Sequence, residues 1–500
     1  MARDGPGHHV VVIGGGIAGL AAAHRLVSDA RARDAGVTCT VVEADPRLGG
    51  KLHTEVVDGC IVECGPDAFL AAKPWARDLC AALGLADRLI ATRPGRGVYV
   101  AYRGRLRPLP DGLVLGIPTR PDLLVRAGLL SPADALRAAA DLLLPRAREA
   151  ADEPVGRLLR RRLGAAVVDR LAAPLLAGIY AGDADALSVQ ATFPQLRQWE
   201  RRHRSLILAG LAQRRTGRAA DEHRQGDGAN TPPGAPVFLS LAGGMAELVD
   251  ALRAALQHRA ALLTGTPVVR IVRPDPREAA YALYLGDGRI LRAQALVLAT
   301  PAFVAADLLA GFAPAAAAVL RDIPYASTAA VTLAYRRAEV AHPLDGHGFV
   351  VARGEPVQIT ACSWVSSKWP GRAPPGIALV RCYFGRAGAD AIVAADDATL
   401  VETARRDLRL VMGLDATPRI AHVARWPHAM PQYTPGHLDR LAAAETVLAG
   451  LPHLALAGAG YRGVGVPDCI RQGQEAAAQV LAQIALRPGA AGYTAFTSMR

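Results

Sequence analysis

Three glycines near the beginning of the chain have the spacing of a nucleotide-binding turn. Gly14, Gly16 and Gly19 follow a β-branched run at residues 9–13, and apolar residues at helical spacing begin at Ile17. Such glycines permit a tight turn, close approach of the backbone to a pyrophosphate, and close packing of a helix on a strand. The amino end of the helix then offers free N–H groups to the phosphates. The alternative for this motif alone is an ordinary glycine-rich turn between a strand and a helix.

An acidic residue and a second pair of glycines extend the motif. Glu43 stands at the end of the second predicted strand, at residues 37–42. A carboxylate at this place accepts hydrogen bonds from ribose hydroxyls and repels a 2′-phosphate. Gly49, Gly50 and Lys51 then suit a second approach of the backbone to the diphosphate, which turns of NAD-dependent dehydrogenases usually lack. The combination favours FAD.

The elements that would position these residues are far apart in the chain. Further strands are predicted at 295–299 and 454–456, and helices at 17–30 and 469–484. We therefore expect an α/β fold, with a discontinuous Rossmann-like FAD-binding domain, an α+β substrate domain and a helical insertion. The predicted boundaries are 1–72, 236–303 and 421–487 for the FAD-binding domain, 73–120 and 304–420 for the substrate-binding domain, 121–212 for the helical insertion, 213–235 for a flexible loop and 488–500 for a disordered tail.

The composition is that of a globular protein and excludes several classes of function. The chain is 51% hydrophobic and 20% charged, and its net charge of +12 comes almost wholly from arginine. Its basic runs lack interleaved aromatic residues, so we interpret them as solvated helix faces rather than a nucleic-acid surface. Seven cysteines without a C-x-x-C pair predict reduced structural thiols and no metal site. No apolar run is long enough to span a membrane and no signal peptide is evident, so we expect a cytoplasmic protein; peripheral contact with the inner face of the membrane stays open.

Several segments resemble a known flavoprotein family. The pattern E-x-x-x-R-x-G-G-K at 43–51 is similar to that of amine oxidases, phytoene desaturases and protoporphyrinogen oxidases. The stretches ECGPDAFL, PLLAGIYAGD, ITACSW, MPQY and GVGVPDCI, which begin at residues 63, 174, 359, 430 and 463, resemble porphyrinogen oxidases more narrowly. The resemblance covers nearly the whole chain and is greatest to the Gram-positive-type branch, which includes coproporphyrinogen III oxidases. Ala68 departs from the serine expected after Gly-Pro-Asp, and the turn at 93–97 is unusually basic, which bears on the substrate more than on the chemistry.

The resemblance implies bound FAD and a set of residues that contact it. Trp426 has a core aromatic as its alternative, and Asp67 could equally cap a turn; we do not expect Asp67 to act as a general base. The implied cofactor-binding residues are Gly14, Gly15, Gly16, Ile17, Ala18, Gly19, Glu43, Ala44, Arg47, Gly50, Lys51, Gly65, Pro66, Asp67, Ala68, Val268, Trp426, Gly465, Val466 and Pro467.

The resemblance also implies a reaction, the oxidation of coproporphyrinogen III to coproporphyrin III in haem biosynthesis, with O₂ as the electron acceptor. This oxidoreductase chemistry on CH–CH groups proceeds by hydride transfer to the flavin N5, so no catalytic side chain is expected. Lys73 and Arg96 are candidates for binding the propionates, with surface cations as the alternative.

Other functions stay open. They are protoporphyrinogen IX oxidation, amine oxidation or carotenoid desaturation on the same scaffold, and a non-catalytic escort role. The implied partners are a porphyrinogen and O₂, without nucleic acid; contacts with other enzymes of the haem pathway stay open.

Overall fold

The structure is a computed structural model that describes residues 8–95, 97–110, 113–114, 116–145, 151–213, 236–273, 281–451 and 453–485. Arg96, nearly all of the predicted loop at 213–235 and the whole predicted tail at 488–500 lie outside these ranges. Among the helices of the described residues, none combines the length and apolarity needed to cross a membrane.

A five-stranded parallel sheet forms the centre of the predicted FAD-binding domain. Its strands, in spatial order, are Ala261–Leu263, Thr38–Val42, His9–Ile13, Ala295–Leu298 and Leu454–Leu456. The strands predicted at 9–13, 37–42, 295–299 and 454–456 are therefore confirmed, within one residue at their ends. Short runs of β-branched and apolar residues form such strands because both faces of a parallel sheet are covered.

Helices pack on both faces of the parallel sheet. Val10 and Val12 face a core shared with the helices Ile17–Ser28, Ala246–Leu256 and Val466–Ala485. Val11 and Ile13 face the opposite core, which is formed with the helices Ala302–Leu309, Pro314–Arg321 and His437–Ala449. The alternation along one strand thus fixes a three-layer arrangement and brings the predicted helices at 17–30 and 469–484 against each other.

A seven-stranded sheet forms the second large layer. Its order is Ile420–Pro431, Tyr325–Arg336, Ile377–Phe384, Ala361–Ser363, Gly348–Val351, Val98–Tyr102 and Arg105–Pro108. Only the pairing of Gly348–Val351 with Val98–Tyr102 is parallel. One face packs on the helix Asp397–Met412 through Leu400, Ala404 and Leu408.

The predicted domain boundaries need two adjustments, which we propose from this packing. Residues 421–431 belong to the seven-stranded sheet rather than the parallel one, because Ile420–Pro431 pairs with Tyr325–Arg336. The helix Pro74–Ala82 buries Ala76, Leu79 and Cys80 in the core under the parallel sheet. An apolar strand or helix pattern does not state which of two sheets will bury it, so the sequence could not place these segments.

The remaining elements are short. The described part of the 121–212 insertion is helical, with the bounds Pro121–Arg126, Pro132–Ala139, Val155–Leu163, Ala165–Val167, Val168–Ala172 (a π turn), Ala173–Tyr180, Val189–Thr192, Pro194–His203 and 206–213. Smaller sheets contain Thr54–Val57 with Cys60–Glu63, Phe69–Leu70 with Phe238–Leu241 and Leu89–Ala91, Val268–Val272 with Tyr281–Leu285 and Ile290–Ala293, and Leu113–Val114 with Ile117–Pro118. Two further helices are Ala30–Asp34 and Val365–Lys368, and 3₁₀ turns span Ala86–Arg88, Ala140–Leu142, Arg337–Glu339 and Ala391–Ala394.

Candidate functional site

The first glycine turn tolerates no side chain at two of its positions. Gly14 has φ +104°, and a Cβ there would lie 2.6 Å from the carbonyl oxygen of Ala299. A Cβ on Gly19 would lie 1.9 Å from the carbonyl oxygen of Gly14. The glycines therefore let the first helix pack directly on the turn and on the neighbouring strand end, as the spacing predicts.

Open space lies in front of this turn. Gly16 precedes the helix Ile17–Ser28, and in the described part of the chain no side chain caps the helix end. A Cβ on Gly16 would meet no atom of the described residues within 4 Å. The second glycine turn lies alongside, because the N–H of Gly49 donates to the carbonyl oxygen of Gly15 at 2.8 Å. Uncapped N–H groups facing a gap between two glycine turns form a cradle for phosphate oxygens.

Glu43 is held at the edge of this cradle. Its carboxylate accepts hydrogen bonds from the N–H of Gly15 at 2.6 Å and from the N–H of Asp45 at 2.8 Å. Each oxygen retains a further lone pair for a ribose hydroxyl. The carbonyl oxygen of Glu43 accepts from the N–H of Thr266 at 2.9 Å, which brings the strand beginning at Val268 to the same edge. Ala44 is exposed beside it.

Arg47 is directed to the protein backbone. Its guanidinium donates to the carbonyl oxygens of Leu48, Leu52 and Gly50 at 3.0, 3.1 and 2.6 Å. It therefore fixes the shape of the second glycine turn, and any contribution to cofactor binding passes through that turn. Lys51 follows, and burial lowers the pKa of its ammonium.

Lys73 is paired within the protein. Its Nζ lies 2.7 and 2.6 Å from the two carboxylate oxygens of Asp468. Asp468 stands in the first turn of the helix Val466–Ala485, directly after the predicted flavin-lining residues Gly465, Val466 and Pro467. Tyr180 is near this carboxylate, since burial and the charge of Asp468 together raise the pKa of its hydroxyl to about 12. Lys73, which is predicted to bind the substrate, therefore lies beside residues 465–467, which are predicted to contact the flavin (the flavin wall).

A second wall is formed around Asp67. Its Oδ2 lies 2.8 Å from Lys368 Nζ and accepts from Trp369 Nε1 at 3.0 Å. Burial raises the pKa of this carboxyl, but Lys368 and Arg381 outweigh it and hold the pKa well below its usual range. Arg381 also donates to the carbonyl oxygen of Gly65 at 2.8 Å. Asp67 is therefore an ion-pair partner rather than a turn cap, and it holds the segment 65–68 against the seven-stranded sheet.

Trp426 joins the same wall from the edge strand of that sheet. Its Nε1 donates to the carbonyl oxygen of Cys64 at 2.6 Å, and the side chain is only half-buried. The indole is thus held beside the chain immediately before Gly65 and keeps part of its surface exposed. Ala68 packs with the small cluster around Trp369.

Several residues of this site were not predicted from the sequence. Thr300 stands after the carboxyl end of the strand Ala295–Leu298, and its buried Oγ1 has no hydrogen-bond partner among the described residues. Its position could have been inferred, because ligands of parallel sheets bind at this edge. Asp468, Lys368, Trp369 and Arg381 had no such signal.

The cradle fits a dinucleotide cofactor. It combines two adjacent glycine turns and an acidic edge at Glu43 with a helix end and a Thr300 hydroxyl that have no side-chain cap and no hydrogen-bond partner, respectively, among the described residues. The turns Gly14–Gly19 and Gly49–Lys51 would hold the diphosphate, Glu43 a ribose, and the segments 65–68 and 465–467 the ring system.

Comparisons with known proteins agree with this geometry. Residues 17–481 match the family model described as flavin containing amine oxidoreductase. The coproporphyrinogen III oxidase of Bacillus subtilis (strain 168) is 38% identical over 477 residues, which cover 95% of this chain and 98% of the relative. That of Propionibacterium freudenreichii subsp. freudenreichii is 38% identical over 98% of this chain and 94% of its own length. A crystal structure from Exiguobacterium sp. 255-15, provisionally described as a protoporphyrinogen oxidase, has a TM-score of 0.83 and 34% identity, covering 96% of this chain and 99% of that one.

Proposed function

Because the chain belongs to the family of flavin-containing amine oxidoreductases, we propose that it oxidises coproporphyrinogen III to coproporphyrin III in haem biosynthesis. It is an FAD-dependent oxidoreductase. The observation that supports this choice of substrate is the similarity, over nearly the full length of the chain, to coproporphyrinogen III oxidases of two bacteria. A shared scaffold alone would not favour this substrate, since one fold hosts many reactions.

The chemistry is carried by the cofactor, and the chain positions the reactants. FAD, when bound, would supply the two-electron chemistry of each oxidation step, with O₂ as the proposed acceptor. Backbone N–H groups at Gly14–Gly19 would hold the FAD diphosphate, and the segments 65–68 and 465–467 would contact the ring system. No side chain needs to act as a nucleophile, and we assign no catalytic residue.

Charged groups at the flavin wall orient a substrate that carries carboxylates. Lys73 is a half-exposed ammonium, with 38% of its side chain accessible, and it lies where the predicted wall meets solvent. We assign it to a propionate of the porphyrinogen, in exchange with Asp468. Coproporphyrinogen carries more carboxylates than protoporphyrinogen, so an ammonium that can exchange partners at this place suits the former.

Protoporphyrinogen IX oxidation is the second candidate. The structural relative from Exiguobacterium favours it, since that protein is provisionally described as a protoporphyrinogen oxidase. The two reactions share the cofactor, and their substrates differ in the number of carboxylates that they carry.

The decisive experiment follows porphyrin fluorescence in air with each porphyrinogen in parallel. We expect a higher kcat/KM for coproporphyrinogen III and a flavin absorbance that is bleached under nitrogen and restored by air. A preference for protoporphyrinogen IX would change the proposed substrate, but the protein would still be an oxidase of porphyrinogens. Flavin that neither porphyrinogen can reduce would contradict the proposal.

We place the reaction in the cytoplasm. All seven cysteines are buried and unpaired, which suits a reducing compartment. Sedimentation with lipid vesicles would test peripheral contact with a membrane.

A further inference from the structure

A β-hairpin beside the Asp67 wall brings three potential metal ligands together. Its strands are Thr54–Val57 and Cys60–Glu63, and the N–H of Cys64 donates to the carbonyl oxygen of His53 at 2.9 Å. His53 and Glu55 share one face because side chains alternate along a strand. Cys64 lies opposite His53 on the neighbouring strand and points to the same face. The register of one hairpin therefore gathers an imidazole, a carboxylate and a thiol.

The ligand atoms lie at metal-site distances. His53 Nε2 is 3.5 Å from Glu55 Oε1, Cys64 Sγ is 3.5 Å from the same oxygen, and all three ligand atoms lie within 4.8 Å of one another. Zinc–ligand bonds of about 2.0–2.3 Å at tetrahedral angles put neighbouring ligand atoms about 3.3–3.6 Å apart. The two distances to Glu55 Oε1 are therefore those expected around a bound zinc ion.

We propose that the protein binds one zinc ion through His53 Nε2, Glu55 Oε1 and Cys64 Sγ. The mixed nitrogen, oxygen and sulfur set is one that Zn²⁺ accepts, whereas Mg²⁺ and Ca²⁺ require oxygen ligands. On binding, the Cys64 thiol releases its proton to solvent and the thiolate forms the bond to the metal. Three protein ligands leave the fourth position to a water molecule.

The surroundings allow an ion to enter and hold its ligands. The side chains of His53 and Glu55 are 30% and 41% accessible, so the site is open to solvent on their side, whereas Cys64 is buried. His422, from the edge strand Ile420–Pro431, places its Nε2 3.1 Å from Glu55 Oε2. It is a positioning residue, because a partner on the free oxygen orients the carboxylate that binds the metal.

The site connects three parts of the molecule. The hairpin supplies the ligands, and His422 ties the ion to the strand that also carries Trp426. Trp426 in turn binds the carbonyl oxygen of Cys64. A bound ion would therefore rigidify the hairpin and the start of the segment 65–68, and it does so whichever substrate the protein oxidises.

Zinc binding is tested on the full-length holoenzyme after treatment with a chelator, in the absence of porphyrins. Equilibrium dialysis against Zn²⁺ with metal analysis should give one ion per chain, and Zn²⁺ should raise the thermal unfolding midpoint. Cys64→Ser should weaken binding about 100-fold and His422→Ala about 10-fold, by analogy with losses at known sites. His203→Ala removes an exposed histidine of the helical insertion and should leave the affinity unchanged.

A spectroscopic readout keeps the test independent of how well a variant folds. With Co²⁺ in place of Zn²⁺, the wild-type protein should show ligand-field bands in the red, beyond the flavin absorption, with the intensity of a tetrahedral site. X-ray absorption of the zinc form should show one sulfur ligand. A spectrum without sulfur, or equal affinities for wild type and Cys64→Ser, would overturn the proposal.

Discussion

The cradle and the wall at Asp67, two parts of the candidate site, are built in different ways. The cradle at Gly14–Gly19 and Gly49–Lys51 consists of backbone, and its shape depends on the absence of side chains. The wall at Asp67 consists of side chains that cross between sheets, with Lys368 and Trp369 on one carboxylate oxygen. A backbone cradle recognises the phosphates that all dinucleotides share, whereas a wall of charged side chains can change without loss of the fold. The cradle therefore suits the part that dinucleotide cofactors share, while the Asp67 wall depends on particular side chains.

The largest expected effect is at the cradle. Gly19→Ala places a methyl group against the carbonyl oxygen of Gly14, so the first helix must move away from the phosphates. We expect the Kd for FAD to rise at least about 100-fold, or about 2.7 kcal/mol. FAD titration of the apoprotein, followed by flavin fluorescence, measures the change.

The matched control for this variant is Gly311→Ala. A Cβ at this position meets no atom of the described residues within 4 Å. The affinity of the Gly311→Ala variant for FAD should therefore equal that of the wild type. If Gly19→Ala retained its flavin through purification, the cradle would not depend on close packing.

The Asp67 wall should respond in stability rather than in cofactor affinity. Asp67→Asn leaves the ammonium of Lys368, whose side chain is 15% accessible, without its ion-pair partner. We expect the free energy of unfolding to fall by about 2 kcal/mol, less than the ~3–5 kcal/mol for fully buried pairs. Urea unfolding of the FAD-loaded proteins measures the loss. Asp122→Asn, at a solvent-exposed pair with Arg120, should leave the free energy of unfolding unchanged, because solvent screens the pair.

The same variant predicts a pH dependence. The pKa of Asp67 is held below its unfolded value of about 3.9, so its contribution to stability is complete above that pH and is lost as the pH falls further. The difference in the free energy of unfolding between wild type and Asp67→Asn should therefore be constant from pH 5 to 7 and shrink below about pH 4. A difference that grew on acidification would contradict the ion pair.

Lys73 separates a substrate contact from a purely structural pair. Lys73→Met removes the proposed propionate partner and should raise KM for coproporphyrinogen about tenfold, or about 1.4 kcal/mol, with a smaller change in kcat. Asp468→Asn frees the ammonium from its competitor and should lower KM. Steady-state kinetics with both variants gives the comparison, and equal increases in KM would make the pair structural.

The smallest effect is expected at Thr300. Its buried hydroxyl has no hydrogen-bond partner among the described residues. Thr300→Val should therefore weaken the binding of FAD about 3- to 10-fold without destabilising the apoprotein. FAD titration and urea unfolding of the apoprotein measure the two quantities. A loss of apoprotein stability with unchanged affinity would show that the hydroxyl serves the fold.

The two regions also differ in how well the sequence predicted them. The strand at 9–13, the helix beginning at Ile17 and the acidic residue Glu43 follow from local patterns, because glycine spacing and β-branched runs act over a few residues. Lys73 and Asp468 are 395 positions apart, and Asp67 and Lys368 are 301 apart. No local period reports such pairs, so the sequence could name Asp67 only through family resemblance. The sequence likewise gave no sign of His422 beside Glu55.

The order of strands in the parallel sheet has a consequence for synthesis of the chain. The central strand His9–Ile13 leaves the ribosome first, but its neighbour Ala295–Leu298 follows only after more than half of the chain has been made. The outer strand Leu454–Leu456 comes later still. Until then the nascent sheet has an unpaired apolar edge, and exposed strand edges invite aggregation. Production of the protein should therefore depend on chaperones, and chains that stop before residue 454 should be found among aggregated material rather than as stable fragments.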